Sequence, residues 1–263
     1  MRVSLLKFFF FLFFYYSSIS NIYATHAAGM DISFECVSQG TNFDLYKITL
    51  KFYRDCSSGA DAPGVGNNFL NTPVLNYSSS CGTYSDDLSF ISGPVYITPN
   101  CTGSGTPCSG SSSLVELEEY TYEKIINIDK CDDWVFSVCI NNRNASITTV
   151  TGADNYSLCV EAELNNLIFC NNSPTFTEYP APYICVNESY CFNNGAIDID
   201  GDSLTYSLVT PIGFNNNQLS QFFGTALQYN TGFSSSNPIS GTTIFDPANG
   251  NLCLNTNLIE VSI

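Results

Sequence analysis

The residues best suited to chemistry in this sequence are three aspartates around one glycine. Asp198, Asp200 and Asp202 alternate along the chain, and Gly201 lies between the last two. Glycine lets the backbone turn, so the carboxylates could converge on calcium, which accepts several oxygen ligands in irregular geometry. The segment lacks the glycine and glutamate positions of an EF-hand loop. It predicts either a calcium site or a tight turn in which aspartate side chains accept hydrogen bonds from backbone amides.

The cysteines form a second chemically relevant set. The chain has 12 of them, and all follow the N-terminal apolar segment. In an exported protein, an even number of cysteines predicts a disulfide framework. Zinc is disfavoured because the closest pair, Cys185 and Cys191, lacks CxxC spacing, and the chain has one histidine. Connectivity stays open, with Cys101 and Cys108 as one plausible local pair. The candidates are Cys36, Cys56, Cys81, Cys101, Cys108, Cys131, Cys139, Cys159, Cys170, Cys185, Cys191 and Cys253.

Catalytic signatures are largely missing from the sequence. The single histidine, His26, lies beside the expected cleavage site, so the folded part cannot assemble a Ser/His/Asp or Cys/His arrangement. Carboxylate pairs that could serve a glycosidase occur at Asp86 with Asp87, Glu118 with Glu119, and Asp132 with Asp133. Adjacent carboxylates on a strand, however, point to opposite faces. We therefore expect that the protein is not an enzyme.

The N-terminus has the layout of a secretory signal peptide. Arg2 and Lys7 are followed by an apolar run at residues 8–16 and by small and polar residues up to Thr25. The apolar run is shorter than the roughly 20 residues of a membrane-spanning helix, although an uncleaved N-terminal anchor is the alternative. We assign residues 1–27 to the signal peptide and its cleavage region, and we expect no transmembrane segment in the rest of the chain.

The charge of the chain restricts its partners. Its formal charge is −16, with only eight lysines and arginines. Nucleic-acid binding requires a basic surface that displaces counterions from phosphates, so this class of partner is excluded. An acidic, lysine-poor surface suits a soluble extracellular module. We expect a secreted or cell-surface protein whose ligand is an extracellular protein or a glycan.

Apolar and polar residues alternate with a period of two, which is typical of half-buried strands. Tyr46, Ile48, Leu50 and Phe52 share one face of such a segment. The same alternation occurs at Val160, Ala162 and Leu164, and at Leu204, Tyr206 and Leu208. Residues 134–140 form an apolar run typical of a strand covered on both faces. Residues 114–128 favour a strand over a helix because they are rich in β-branched and aromatic side chains.

Turn-forming residues separate these runs at short intervals, a pattern that predicts β-sandwiches. A polar, proline-containing stretch at residues 171–174 marks a domain boundary. The sequence therefore predicts an all-β protein with two β-sandwich domains. The first is a disulfide-bonded sandwich at residues 28–169, and the second lies at residues 170–263.

Residues 213–243 predict a strand pair with a large loop that carries Phe222, Phe223, Tyr229 and Phe233. Aromatic rings stack on sugars, so these side chains suggest a carbohydrate-binding accessory module of a polysaccharide-processing system as an alternative function. Ordinary core packing explains the same aromatic residues and is favoured.

Three motifs resemble a cadherin-like, dystroglycan-type repeat in their order and spacing. Residues 172–176 resemble N-S-P-x-F, residues 198–208 resemble D-x-D-G-D-x-L-x-Y-S-L, and residues 245–252 resemble F-D-P-x-x-G-x-L. Further matching stretches lie at residues 24–26, 46–56, 118–122, 131–134 and 183–192. With them, nearly the whole chain after the leader resembles Bacteroidetes surface proteins of the gliding motility-associated or PKD-domain type.

The resemblance implies export, onward transport by type IX secretion to the exterior of the outer membrane, and an adhesin-like role at the cell surface in adhesion or gliding motility. It also implies that Asp198, Asp200 and Asp202 occupy positions at which related repeats carry calcium-associated acidic residues. The resemblance also implies that both sandwiches are of immunoglobulin or cadherin-like type, and that the second, at residues 170–263, lacks its last strands. Members of that family carry further repeats and a C-terminal sorting domain, so the resemblance leads us to expect that this chain is part of a longer protein.

Overall fold

The computed structural model describes residues 27–55, 62–65, 72–97, 117–141, 143–144, 146–179, 184–215 and 223–257. These residues form strands joined by turns, with a single turn of 3₁₀ helix at Ala153–Asn155. The predicted all-β fold class is confirmed. The strands are β1 (Ala27–Gln39), β2 (Phe43–Asp55), β3 (Val74–Ser79), β4 (Gly82–Asp87), β5 (Ser89–Tyr96), β6 (Leu117–Asp129), β7 (Trp134–Ile140), β8 (Leu158–Leu164), β9 (Thr175–Phe176), β10 (Tyr190–Asn193), β11 (Ala196–Ile197), β12 (Ile212–Gly213), β13 (Thr225–Ala226), β14 (Gly241–Phe245) and β15 (Asn251–Thr256).

Two four-stranded antiparallel sheets form the larger part of the fold. One sheet has the order β1-β2-β6-β5, and the other has the order β4-β3-β7-β8. Side chains from both sheets meet in one continuous core, in which Phe52, Tyr122, Trp134 and Phe136 are fully buried. We refer to residues 27–169 as the first sandwich. Residues 1–26 of the expected leader lie outside the described residues.

The alternating pattern in β2 explains how one face of the first sheet is buried. Tyr46, Ile48, Leu50 and Phe52 are all 0 % exposed, whereas the residues between them are partly exposed. Strand β2 pairs with β6 along its whole length, from Phe43 to Asp55. Side chains on a strand alternate between faces, so this register directs both apolar stripes into the same core.

Three other strand predictions are confirmed within the described residues. Strand β7 covers the apolar run at residues 134–140, and even Ser137 on its second face is buried. Strand β8 covers the alternating segment that ends at Leu164, and Val160 and Ala162 pack against the core. Strand β6 covers the described part of residues 114–128.

Residues 170–257, which we call the second half, form smaller sheets. Strands β10, β15 and β14 make a three-stranded antiparallel sheet, and β9 with β11 and β12 with β13 form two-stranded pairs. The pair β12 and β13 agrees with the predicted strand pair in this region, although residues 216–222 between them lie outside the described residues.

The strand predicted around residues 204–208 is not formed. Leu204, Tyr206 and Leu208 are half-buried and alternate with exposed residues, but the segment joins no β-ladder. Its Tyr206 amide donates to the Pro247 carbonyl, and the Tyr206 hydroxyl accepts from the Ala196 amide. An alternating pattern specifies one buried face, whereas a strand also needs a neighbouring backbone in register.

The two halves contact each other at several points. Isolated β-bridges join Val150 to Tyr229 and Tyr156 to Asn215. A small second core is formed by Val150 and Ala153 from the first sandwich and Leu227 from the second half. Within the described ranges, no helix is long and apolar enough to cross a membrane.

Candidate functional site

Four disulfides cross-link the described residues, as the cysteine content predicts. They join Cys36 to Cys170, Cys81 to Cys131, Cys139 to Cys159, and Cys191 to Cys253. The last two connect residues that are already opposite each other in their sheets. Cys185 is exposed and unpaired, whereas Cys56, Cys101 and Cys108 lie outside the described residues, together with the local pair considered for two of them.

The Cys36–Cys170 disulfide begins a junction that fastens the second half to β1. Beyond it, the Asn172 Oδ1 atom accepts a hydrogen bond from the Cys36 amide at 2.7 Å. The Ser173 Oγ atom accepts from the Phe34 amide at 2.8 Å, and the Ser173 amide donates to the Phe34 carbonyl at 2.9 Å. The polar stretch at residues 171–174 is therefore held along the end of β1.

The same asparagine connects this junction to the aspartate segment. The Asn172 amide donates to Asp200 Oδ2 at 2.7 Å, and the Asn172 Nδ2 atom contacts both carboxylate oxygens of Asp200 at 2.9 and 3.1 Å. Two motifs that are 28 residues apart thus meet in space. Hydrogen bonds to a carboxylate are stronger than those between neutral groups. The contacts of Asn172 with Asp200 and with β1 therefore hold the aspartate turn against the first sandwich.

Within the aspartate segment, side chains bind the backbone. The Asp198 Oδ1 atom accepts from the amides of Asp200, at 2.8 Å, and Asp202, at 3.3 Å. Gly201 has a φ of +83°, a left-handed conformation that glycine adopts without steric cost, and its amide donates to the Asp198 carbonyl. These contacts are those of the tight turn that the sequence allows.

The predicted calcium ligands Asp198, Asp200 and Asp202 do not form a compact ligand cluster in this conformation. Within the described residues, the only group of three potential ligands with atoms within 4.8 Å of one another is Cys131 with Asp132 and Asp133. The sulfur of Cys131 is bonded to Cys81, so it is not available to a metal. Calcium binding at the aspartate turn stays a prediction, and it requires the carboxylates to move together.

The adjacent carboxylates considered for glycosidase chemistry point to opposite faces on β6. Glu118 lies with the core residues, 3.2 Å from Arg54, and accepts a hydrogen bond from the Tyr120 hydroxyl at 2.7 Å. Glu119 faces the other side of the sheet, where its carboxylate lies 3.4 Å from Lys51. A pair on opposite faces cannot act together on one glycosidic bond.

A half-buried carboxylate on the outer face of the first sheet has a shifted pKa. Burial raises the pKa of Asp31 above its ordinary value of 3.8, and the negative charge of Glu119 raises it further. The hydrogen bond from the Tyr53 hydroxyl, at 2.7 Å, and the charge of Lys51 oppose this shift only in part. Tyr53 also interacts electrostatically with Tyr179 of the second half, which places that segment near this face.

Sequence analysis did not single out Arg143, which links the halves. Its side chain is buried, and it donates to the Ser157 carbonyl at 3.0 Å and to the Ile212 carbonyl at 2.6 Å. Burial lowers the pKa of its guanidinium to about 10. The sequence gives little indication of this role, because a single arginine in a loop is usually exposed to solvent. Its burial depends on the contact with the second half.

A buried polar triad at one end of the first sandwich was also missed. It consists of Asp44 and Asn166, both fully buried, and Lys130, whose side chain is 17 % exposed. Asp44 lies on the same face of β2 as the apolar stripe. Lys130 comes two residues after Ile128, so it is in phase with the corresponding stripe of β6. A charged residue in phase with an apolar stripe was the available signal.

The aromatic residues considered for sugar binding are half-buried rather than fully exposed. Phe223, Tyr229 and Phe233 are all in this class, and Tyr229 packs against the small second core. Phe222 lies outside the described residues. Core packing therefore accounts for Tyr229, and carbohydrate binding stays an untested alternative.

The motifs at residues 172–176 and 198–208 contact each other through Asn172 and Asp200, and the motif at residues 245–252 contacts the second of them through Pro247 and Tyr206. Comparison with protein-family models, with curated proteins and with solved structures finds no match for this chain.

Proposed function

We propose that this chain belongs to an exported structural or adhesive protein of the cell surface that has no catalytic activity of its own. The observation that carries the proposal is the set of four disulfides, which bridge sequence separations of 20 to 134 residues. Disulfides persist in oxidising compartments outside the cytosol. They also reduce the conformational entropy of the unfolded chain, and so stabilise a protein that works outside the cell.

The junction between the halves supports a role in bearing load. The Cys36–Cys170 bond lies where the chain leaves the first sandwich, and Asn172 and Ser173 hold the next residues along β1. Force applied through the second half would therefore pass into β1 through this covalent bond, as well as along the backbone into β8. The resemblance to gliding motility-associated surface proteins supports the same role, with type IX secretion as the export route.

The exposed apolar residues of the second half are our proposed ligand-contact surface. Ile197, Ile199, Val209 and Ile244 have exposed fractions of 63, 80, 73 and 63 %. A single exposed apolar residue is ordinary, but several large apolar side chains left uncovered are a common feature of interaction surfaces. The ligand class is an extracellular protein or glycan, with weak calcium binding at the aspartate turn as an accessory property.

Surface labelling of the producing cells tests the location. Intact cells that express the full chain are treated with a membrane-impermeant amine reagent before lysis, and the oxidation state of the cysteines is measured under denaturing conditions. We expect a labelled chain in which most cysteines are paired. An unlabelled chain inside the cell with reduced cysteines would contradict the proposal.

Adhesion is tested with beads coated with the mature chain and incubated with producing cells. We expect binding that weakens in the Ile199→Asp and Val209→Asp variants, while the matched variant Thr205→Asp, at an exposed polar position, retains it. Equal binding by all variants and by uncoated beads would refute the adhesive role. Saturable binding to one polysaccharide on a glycan array would instead support the carbohydrate-binding alternative.

A further inference from the structure

The buried triad of Asp44, Lys130 and Asn166 brings an amine, a carboxylate and a carboxamide together. The Asp44 Oδ2 atom accepts hydrogen bonds from Lys130 Nζ at 3.0 Å and from Asn166 Nδ2 at 3.0 Å. One carboxylate oxygen therefore contacts both the amine and the amide nitrogen. Lys130 Nζ also donates to the Asn166 backbone carbonyl at 3.4 Å, which holds it beside this residue.

We propose that Lys130 and Asn166 form an intramolecular isopeptide bond, with Asp44 transferring the protons. The new bond joins the Lys130 Nζ atom to the Asn166 Cγ atom, and the bond between Cγ and Nδ2 of Asn166 breaks. The reaction requires no oxidant, metal or cofactor. Its only other product is one molecule of ammonia, which leaves as ammonium.

The proton transfers follow from the contacts of Asp44. The Asp44 carboxylate takes a proton from the Lys130 ammonium, and the neutral amine attacks Cγ of Asn166. Asp44 then passes that proton to Nδ2, which leaves as ammonia when the carbonyl forms again. The attacking nitrogen loses a second proton, which departs with ammonia as ammonium, so Asp44 ends as the carboxylate it was at the start.

Two further hydrogen bonds favour this reaction. The Cys131 amide donates to Asn166 Oδ1 at 2.9 Å, where negative charge develops during the attack. The Gly40 amide donates to Asp44 Oδ1 at 3.0 Å, which fixes the carboxylate with its other oxygen toward the amine. Asp44 holds the amine and the carboxamide on one oxygen atom. Well-oriented groups within one molecule can reach effective concentrations of about 10⁵ M or more, which compensates for the low reactivity of a carboxamide.

The location of the bond gives it a structural consequence. Lys130 follows β6 of the first sheet, whereas Asn166 follows β8 of the second sheet. An isopeptide bond between them would tie the two sheets of the first sandwich together at one end. Unlike the disulfides, this cross-link would survive reducing conditions.

Mass spectrometry of the full mature chain, fully reduced and denatured, tests the proposal. We expect a mass that is lower by one ammonia than the sequence specifies, and a tryptic peptide in which Lys130 is linked to Asn166. Trypsin should fail to cleave after Lys130, because its amine is no longer free. A mass that agrees with the sequence, with normal cleavage after Lys130, would overturn the proposal. Loss of water, with Lys130 linked to Asp44, would overturn the assignment to Asn166.

Variants separate the reaction from unrelated loss of ammonia. Lys130→Arg preserves the positive charge but removes the amine, so the mass should return to that specified by its sequence. Lys124→Arg, at a more exposed lysine paired with Asp86, is the matched control and should retain the loss of ammonia. A Lys130→Arg protein that still lacks one ammonia would contradict the proposal. If this variant does not fold, the peptide map of the unmodified sequence decides the question alone.

Discussion

The first sandwich and the second half are stabilised in different ways. The first sandwich has one continuous core that joins both sheets, with Trp134 and Phe136 at 0 % exposure. Among the described residues of the second half, the buried apolar side chains are only Leu227, Ile239 and Leu252. The second half instead depends on the Cys191–Cys253 bond, the junction at Cys170 and its contacts with Arg143. A region with little core can keep a defined shape when cross-links and a neighbouring surface restrict it.

The largest expected effect tests the core of the first sandwich. Ile48→Ala removes a fully buried side chain and should lower the free energy of unfolding by about 2–5 kcal/mol, because a cavity remains. Ile244→Ala removes a side chain that is 63 % exposed and should change it by no more than about 0.5 kcal/mol. Denaturant titration of both variants measures the difference. Equal losses would mean that the second half has a real core around Ile244.

The next effect concerns the disulfides. Replacing Cys191 and Cys253 by alanine should destabilise the second half by about 2–4 kcal/mol, because the unfolded chain regains freedom. The same change at Cys139 and Cys159 should cost about 1 kcal/mol less, since that bond spans 20 residues rather than 62.

Hydrogen exchange locates the effect of the disulfide variants. The change at Cys191 and Cys253 should increase exchange in β14 and β15 while β2 and β7 stay protected. Uniform loss of protection across both halves would show that they unfold as one unit and are not stabilised independently.

Calcium should produce a smaller effect, confined to the second half. With an affinity of about 0.1–1 mM, millimolar calcium should stabilise the fold by roughly 0.4–1.4 kcal/mol. Asp200→Asn should abolish this stabilisation, while its remaining side-chain oxygen can still accept a hydrogen bond from Asn172. Melting curves in calcium and in chelator provide the measurement. Identical curves for the unmodified protein would leave the aspartates as a structural turn only.

The last prediction concerns the pH dependence caused by Asp31. Its pKa is raised in the folded protein, so the folded state binds this proton more tightly than the unfolded state does. The associated stability is present below pH 3.8 and is lost as pH rises from there to the folded pKa. Asp31→Asn should therefore make stability fall less steeply over that interval, as measured by denaturant titration at several pH values.

Asp86 provides the opposite case for comparison. The hydrogen bond from Lys124 lowers its pKa, so its stabilisation is present above pH 3.8 and is lost as pH falls. Asp86→Asn should weaken the acid-induced loss of stability, in a lower pH range than the Asp31 effect. If both variants changed the same pH range in the same direction, the burial of Asp31 would not be the cause of its shift.

Several elements could be predicted because neighbouring residues determine them. The stripe from Tyr46 to Phe52 defines the buried face of β2, and the apolar run at residues 134–140 defines β7. The turn at Gly201 follows from the residue types around it. Residues 204–208 alternate in burial but form no strand, because a local pattern does not determine whether a partner backbone is present.

The candidate site was only partly predictable for the same reason. The aspartates at 198, 200 and 202 were recognised from their spacing, but their contact with Asn172 depends on a fold that brings the two motifs together. The triad of Asp44, Lys130 and Asn166 comes from three separate segments, each of which contributes one ordinary polar residue.

By itself, the sequence determined the all-β class, the alternating core stripes and the presence of disulfides, because periodicity and cysteine content are properties of local chain segments. Only the tertiary structure decided that Cys36 pairs with Cys170, that Arg143 reaches Ile212, and that Asp44 lies between Lys130 and Asn166. Such contacts join residues distant in sequence. They depend on how the sheets are ordered and packed, which alternation along a single strand does not specify.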